Sequence, residues 1–515
     1  MIREGILIGL AYLSVVFMLK SCTEQSAITG SDNSTGAEET TEINQSNSQG
    51  TNLVSEKITL TIGNNKEKEV NILLHGFNTA ALYFNFSNEP EGIELIQGLA
   101  PQVLRFPGGT TANFYHFDDP GYGYNRADAE SVKGSNAYQN AINSSKRDLS
   151  DCQRTGRKDN YAVDFVRLAK QTGSSVVIVT NHLHSSFEEN LRMVKFFKES
   201  GVQIAGVELG NEYYLKAYQK EFPDVQSYIK TVKPLALKIR SLYPEIPLAV
   251  VAAPNAEMKD IGANRSALLD NWNAQLSKED FYDAYAVHLY AKDKSCDQKT
   301  DRMQVSSCYL DSNEEYINET IPNGIKAYEK IFPEHKMWVT EWNVKEVFDG
   351  LGNTLLQAIY FADYSLMLSN QQSIGLATYH NLLTGSAGFN IIGKEKGSGF
   401  YSSASYPVAV LISEAFRAGV TGVDVKINSG LSPEHVTIRA FNSGDETLLY
   451  IINKNDTPLD VDLGAQGSNC RVRTVFAENL IQTNTTIKKS DQHPKDCSTL
   501  NLPAYSVTLI TLSQQ

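Results

Sequence analysis

A chain of 515 residues is longer than one hydrophobic core usually organises, so at least two domains are expected. With 41% hydrophobic and 20% charged residues it has the composition of a globular protein, not of a disordered or membrane-embedded one. A formal charge of −13 argues against a nucleic-acid partner, because phosphate recognition needs a basic surface.

The first 22 residues, "MIREGILIGLAYLSVVFMLKSC", carry Arg3, an apolar run from Gly5 to Leu19 and then Cys22. The run is short and close to the start, which suits a signal peptide better than a membrane span. Leu19-Lys20-Ser21-Cys22 resembles a bacterial lipobox, although Lys20 is unusual there. The resemblance implies lipidation of Cys22 and anchoring to a bacterial envelope membrane or the cell surface, with plain secretion as the alternative. Residues 23–56 are polar and acidic, bury too little apolar surface to fold, and read as a tether.

From about 71 to 400, apolar runs of strand length alternate with helical patterns. The runs are "VNILLHGFN" (70–78), "QVLRFPGG" (102–109), "SSVVIVTNH" (174–182), "IAGVELGNE" (204–212), "LAVVAAPN" (248–255), "YAVHLY" (285–290), "MWVTEWN" (337–343) and "IGLATYHN" (374–381). Between the second and third, Ala162, Phe165, Val166 and Ala169 share one helical face, closed by Gly173. After the third, Ser186 and Glu189 form a capping-box pattern that opens a helix ended by Gly201. Eight such runs close a parallel (β/α)8 barrel, over residues 57–404. The rival doubly wound sheet lacks a Gly-rich phosphate loop after its first strand, and the "PGG" at 107–109 has no Lys-Ser/Thr behind it. From 405 to 515 strands alternate with turns, as in an antiparallel β-sandwich, and "KITLTIG" (57–63) is a candidate extra strand for it.

Export permits disulfides. Besides Cys22, five cysteines remain; Cys296 with Cys308 and Cys470 with Cys497 are the expected pairs, leaving Cys152 free. None of these spacings looks like a zinc site.

In a barrel of this kind the chemistry sits at the C-terminal ends of the strands. Asn211 and Glu212 end the fourth run, and Glu341 ends "MWVTE" on the seventh. Two carboxyl groups converging there are what glycoside hydrolysis needs. One protonates the leaving oxygen and the other serves the anomeric carbon. The "GNE" on strand four and the strand-seven Glu resemble the clan A retaining glycoside hydrolases. "ELGNE" and "LRFPGGTTANFYHF" are similar to heparanase-type β-glucuronidases, and "TEWNV" to α-L-arabinofuranosidases. The resemblance implies Glu212 as acid/base, Glu341 as nucleophile, Asn211 as donor to a sugar hydroxyl, and Arg105 as the cation that keeps the nucleophile ionised. His288 and Tyr290 lie two apart on a strand and so share a face; the H-x-Y pair resembles the clan's sixth-strand motif, whose tyrosine bonds the nucleophile. Asn78, Asn113, Asn181, Trp342 and His380, all near strand ends, are candidate substrate contacts. No cofactor or metal is implied.

Two other functions remain in view, a metal-dependent hydrolase using His182 and His184 of "NHLH" and a glycan-binding protein on an inactive barrel. The long segment 118–158 carries Tyr122, Tyr124 and Tyr138, candidates for stacking on sugars. Its Arg154, Arg157 and Lys158, with Lys292 and Lys294 on the loop after run six, suggest a uronic-acid or sulfated glycan. Retention predicts carboxyl groups about 5–5.5 Å apart, inversion about 6.5–9.5 Å.

Overall fold

A computed structural model describes residues 56–513 apart from 80–88, 119–122, 125, 135–160, 259–262, 292–294, 297–298, 345–350, 385–387, 389, 396–398, 429–434 and 465–468. Cys22, Cys152, the tether up to residue 55, and Tyr122, Tyr138, Arg154, Arg157, Lys158, Lys292 and Lys294 lie outside the described residues. No helix among the described residues is long and apolar enough to cross a membrane.

A first strand, β1 (Glu56–Glu69), precedes a closed parallel barrel. The barrel strands are β2 (Gly76–Asn78), β3 (Val103–Phe106), β4 (Ser175–Val179), β5 (Ile204–Glu208), β6 (Leu248–Val251), β7 (Ala284–Ala291), β8 (Lys336–Val344) and β9 (Ile374–His380). All eight apolar runs therefore contribute a strand. The first contributes least, because Ile72–Leu74 coil into a 3-10 turn before β2 begins. The helices between them are α1 (Pro90–Gly98), α2 (Tyr161–Thr172), α3 (Phe187–Glu199), α4 (Val225–Leu242), α5 (Ala263–Leu276), α6 (Arg302–Glu315), α7 (Ile321–Ile331) and α8 (Leu355–Leu368). At the start of α3, Ser186 accepts from the Glu189 amide. The reciprocal half of the box is not made, because the Glu189 carboxylate accepts from the Asp118 amide instead.

The barrel interior packs around one large side chain. Trp338 on β8 is surrounded by Val103, Val177, Ala249, Ala284, Ala286 and Leu376. Its bulk dictates Gly206 on β5, where a Cβ would stand 2.1 Å from the indole Cη2.

After the barrel come a small sheet, β10 (Leu383–Thr384), β11 (Ile392–Glu395) and β12 (Gly399–Ser402), and helix α9 (Ser405–Ile412). The remaining strands are β13 (Thr421–Ile427), β14 (Val436–Ser443), β15 (Glu446–Asn453), β16 (Leu459–Asp462), β17 (Cys470–Phe476), β18 (Lys488–Gln492), β19 (Thr499–Leu502) and β20 (Ser506–Ser513). They join β1 in one nine-stranded sheet of order β18-β17-β20-β15-β14-β13-β1-β16-β19. All its pairings are antiparallel except that of β1 with β16. Strand β15 reads "TLLYIIN" without alternation because both its faces are buried. Leu449 and Ile451 join the sheet's own core, with Ile58, Leu60 and Val461, while Leu448, Tyr450 and Ile452 join the core shared with the barrel. The disulfides Cys296–Cys308 and Cys470–Cys497 are both present.

Helix α8 is apolar nearly all round and buried along its whole length, as a helix caught between two layers must be. Its one acid, Asp363, accepts from Lys454 Nζ at 2.8 Å and from Thr437 Oγ1 at 2.7 Å. Lys454 also donates to Glu314 of α6 at 2.7 Å and to Thr437 at 3.2 Å. This buried cluster stitches the sheet to the barrel.

Candidate active site

At the C-terminal end of the barrel the strand-end residues meet. Glu341 lies where the pairing of β7 with β8 shifts register, from Val287 opposite Val339 to His288 opposite Glu341. A bulge re-aims side chains, and here it accompanies consecutive polar residues that both serve the interior. Thr340 Oγ1 donates to Glu208 Oε1 at 3.2 Å, and Glu341 reaches Arg105. On the next residue the alternation resumes. Trp342 faces outward and stacks on Tyr364 of α8 with ring centroids 4.3 Å apart. It is 2% exposed, so the expected substrate contact at Trp342 is replaced by a packing role between barrel and helix.

The Glu341 carboxylate is held by three donors. Arg105 Nη1 reaches Oε1 at 2.8 Å, Asn78 Nδ2 the same oxygen at 3.3 Å, and the Tyr290 hydroxyl reaches Oε2 at 2.6 Å. Burial by itself would raise this carboxyl group, but the charges of His288, His380 and Arg105 and the Tyr290 hydrogen bond outweigh it, and Glu341 sits well below the usual carboxylate range. Burial pushes the His380 ring down from its ordinary value against the pull of Glu341, and Arg105 is the permanent charge of the three. Burial and the charge of Glu341 push the Tyr290 phenol well up, so it stays an O–H donor. Asn78 also donates to His380 Nδ1 at 2.8 Å.

Asn78 needs room, and "PGG" supplies it. Gly108 has φ 65°, and a Cβ there would fall 1.8 Å from Asn78 Oδ1.

Glu212 is more open, its side chain 22% exposed against 6% for Glu341. It adopts φ 51°, a left-handed backbone that a non-glycine residue holds only when its surroundings enforce it. Tyr214 OH donates to its Oε1 at 3.2 Å, and His288 Nδ1 lies 2.9 Å from the same oxygen. Burial opposes charge on His288, but Glu341 and Glu212 beside it raise its pKa above the ordinary value of 6.5. The same Nδ1 is 3.6 Å from Glu341 Oε2. Glu212 Oε1 and Glu341 Oε2 therefore stand at most about 6.5 Å apart, the sum of those two distances.

Asn211 directs Oδ1 at Arg105 Nη2, 2.8 Å away, while its backbone carbonyl accepts from Asn113 Nδ2 at 2.8 Å. Its own Nδ2 is buried with no protein partner.

The sequence reading passed over Glu208. It ends β5 with both oxygens on Arg105, Oε2 to Nε at 2.7 Å and Oε1 to Nη2 at 2.9 Å. It stands in "ELGNE", two residues after Gly206, whose Cα faces Trp338 inside the barrel, so strand parity alone points it inward.

Three other expectations fall elsewhere. Asn181 Nδ2 donates to the Tyr115 carbonyl at 3.0 Å while its Oδ1 accepts from the Leu183 and His184 amides, so it ties two loops together rather than facing the Glu pair. Tyr124 packs edge-on against Tyr115 and Tyr161 instead of offering a face to sugar. His182 and His184 have separate partners: His182 Nε2 lies 2.8 Å from Thr180 Oγ1, and His184 Nε2 lies 3.1 Å from Ser131 Oγ. Burial pushes His182 down to about 3. Among the described residues no three His, Cys, Asp or Glu side chains are grouped to hold a metal.

No protein family and no curated protein is matched by the sequence. Among solved structures, a family 51 arabinofuranosidase from Xanthomonas axonopodis pv. citri is 14% identical with TM-score 0.64, over 89% of this chain and 100% of that one. An α-L-arabinofuranosidase from Thermotoga maritima, in complex with arabinose, is 14% identical with TM-score 0.63, over 88% and 100%. A glycoside hydrolase family 44 xyloglucanase from Paenibacillus polymyxa is 12% identical with TM-score 0.56, over 89% and 100%. At such identities the likeness concerns the fold. The chain therefore shares the fold of these glycoside hydrolases along nearly its whole length, as the clan A resemblance implies.

Proposed function

We propose that the protein is a retaining glycoside hydrolase in which Glu341 is the nucleophile and Glu212 the acid/base. The observation that carries this reading is the single nitrogen, His288 Nδ1, lying between the two carboxyl groups at 2.9 and 3.6 Å. The separation this allows reaches only the lower edge of the range, about 6.5–9.5 Å, in which an inverting enzyme seats a water.

In the first displacement a Glu341 oxygen bonds the anomeric carbon as the glycosidic C–O bond breaks, and Glu212 gives its proton to the departing oxygen. In the second, Glu212 takes a proton from water, whose oxygen bonds the anomeric carbon as Glu341 leaves. The exposures suit these roles. The nucleophile is buried beneath the sugar with a permanent cation, and the acid lies toward the opening through which the leaving group departs. The orphaned Nδ2 of Asn211 supports its role as donor to a sugar hydroxyl, because an unpaired buried N–H costs about 1–3 kcal/mol that a substrate oxygen recovers.

Two sugar classes are the first to test. Arabinofuranosides are suggested by "TEWNV" and by the activity named for the Xanthomonas and Thermotoga enzymes. Uronic-acid or sulfated glycans are suggested by Arg154, Arg157, Lys158, Lys292 and Lys294. The test is hydrolysis of aryl arabinofuranosides, xylosides and glucuronides beside neutral, uronic and sulfated polysaccharides, wild type against Glu341→Ala. Activity on one member that falls about 10⁴-fold or more in the variant is the expected result. Activity that survives Glu341→Ala would remove Glu341 from its role. Binding without turnover across the panel would favour the glycan-binding reading.

Lipidation of Cys22 is the proposal for location. Labelling with a fatty-acid analogue should follow the wild type and vanish with Cys22→Ser; equal labelling of both would refute it.

A further inference from the structure

Among the described residues Arg105 is the one cation in contact with the nucleophile's carboxylate by a direct charge-assisted hydrogen bond, yet most of its bonds go elsewhere. Of its four hydrogen bonds, two go to Glu208, one to Asn211 and one to Glu341. All of this lies in a water-excluded floor, with Arg105 at 0% exposure and Glu208 at 1%. Burying a second carboxylate on the nucleophile's own cation looks wasteful, because Glu208 competes for the charge that holds Glu341 ionised. An arginine without it would still be attracted to Glu341, but end-on and free to turn about Cδ–Nε.

The bidentate pair removes that freedom. Glu208 takes Nε and Nη2 along one edge of the guanidinium, which fixes its plane. With the plane fixed, Nη1 can point only at Glu341 Oε1, and the second N–H of Nη2 only at Asn211 Oδ1. Asn211 in turn is left with Nδ2 directed away from Arg105 and unpartnered. Thr340 Oγ1, from the residue beside the nucleophile, donates to Glu208 and braces the brace.

We propose that Glu208 is a positioning residue that aims Arg105 at the nucleophile and at Asn211 together, so that one buried ion pair sets both the nucleophile and the donor to the sugar. This rests on the reading of Glu341 as nucleophile.

The test is Glu208→Gln on an aryl glycoside that the wild type cleaves. An amide offers one acceptor oxygen to the two N–H groups and turns its own N–H₂ against the other, so the guanidinium loses its fixed plane. A displacement of about 1 Å at such a site costs up to about 100-fold in rate, so kcat should fall about 10- to 100-fold while KM changes less than about threefold. The acid limb of kcat/KM carries the decision. If Glu208 aims Arg105, the loss of the aimed hydrogen bond to Glu341 outweighs the charge that removing Glu208 releases, and the limb moves to higher pH. If Glu208 merely satisfies Arg105, losing it frees the whole positive charge for Glu341, and the limb stays or moves to lower pH. Either of those overturns the proposal.

Should Glu208→Gln not fold, Thr340→Val keeps shape and removes only the brace on Glu208; a smaller shift of the limb to higher pH supports the proposal and no shift overturns it. Glu341→Ala run on the same substrate separates the two levels. If that variant stays active, the site assignment fails. If it is inactive while Glu208→Gln matches wild type, only the positioning role fails.

Discussion

At the seam between barrel and sheet, Lys454 places its ammonium on Asp363, Glu314 and Thr437, and an ammonium has three N–H groups to give. At the mouth, Arg105 places four bonds on Glu208, Glu341 and Asn211, but the cluster it anchors ends in an amide N–H₂ with no partner and a third carboxyl group, Glu212, that opens toward solvent. Both are buried cations shared between two carboxylates. The seam spends its hydrogen-bonding capacity within the protein and holds two layers together. The mouth keeps some in reserve beside the half-open Glu212, and that reserve is what a substrate would meet. Burial and ion pairing alone therefore do not mark a functional site. What sets the mouth apart is that an unspent amide donor, Asn211 Nδ2, adjoins a half-open carboxyl group, Glu212.

The largest effect should come from removing the mouth's open acid. Glu212→Gln should lower kcat by about 10²–10⁴-fold on glycosides with poor leaving groups, and much less where the leaving group needs no proton. Stability should hardly change, which chemical denaturation followed by fluorescence would check. Equal losses for good and poor leaving groups would mean that Glu212 does not deliver the proton.

The converse change is Lys454→Met at the seam. Methionine fills the volume of the stem but leaves Asp363 buried without its cation, which costs about 3–5 kcal/mol. The folded fraction should keep wild-type kcat. A large loss of kcat with unaltered stability would break the comparison.

Alkali should next separate the seam from a third cluster, in which His116 lies 2.8 Å from Asp128 and 3.4 Å from Glu189. Burial opposes charge on His116, but hydrogen bonds and charges from Asp128 and Glu189 raise it from 6.5 to about 10. Its contribution to stability is complete below the unfolded value and is lost as pH rises from 6.5 through about 10. His288 is raised in the same sense. Burial likewise opposes charge on Lys454, and Asp363 and Glu314 raise it above 10.5, so its contribution persists until the pH passes that value. Between pH 7 and 9.5, hydrogen exchange should quicken at 113–118 and 182–189 while 435–454 stays protected. His116→Gln should make the first two segments less sensitive to pH. Acid acts the other way on Glu341, whose lowered value keeps its contribution above the ordinary carboxylate pKa and loses it only as pH falls through the folded one.

What the sequence disclosed and what it hid follow the same division. Runs with period two or with continuous apolar character announced every barrel strand, and Glu212 and Glu341, with Arg105, His288 and Tyr290, were singled out by their places at strand ends together with the clan A resemblance. Trp342 was misread because a bulge at Thr340 and Glu341 shifts the parity that decides which residues face inward. Asn181 was misread because an amide at a strand end serves a loop's N–H groups as readily as a sugar. Glu208 was missed because its partner, Arg105, lies 103 residues away, and an acid that closes an apolar strand carries no local sign of such a pairing. The seam had no local signal. Lys454, Asp363 and Glu314 are 91 and 140 residues apart along the chain from the lysine, and nothing in their neighbourhoods records the meeting.

The smallest prediction tests whether the seam is as self-contained as this division requires. His435 Nδ1 also contacts Glu314, at the rim, with its side chain 37% exposed. A pair in that much solvent contributes less than about 1 kcal/mol, and His435→Gln should cost no more than that. A double-mutant cycle with Lys454→Met decides how the cluster works. If Lys454 alone meets the demand of Asp363 and Glu314, the two losses add, because removing the histidine leaves the buried core of the cluster intact. Strong coupling would mean that the rim histidine takes over part of the cation's work when the lysine is gone. The seam would then hold charge in reserve as the mouth does, and self-containment could not be what distinguishes a structural cluster from a catalytic one.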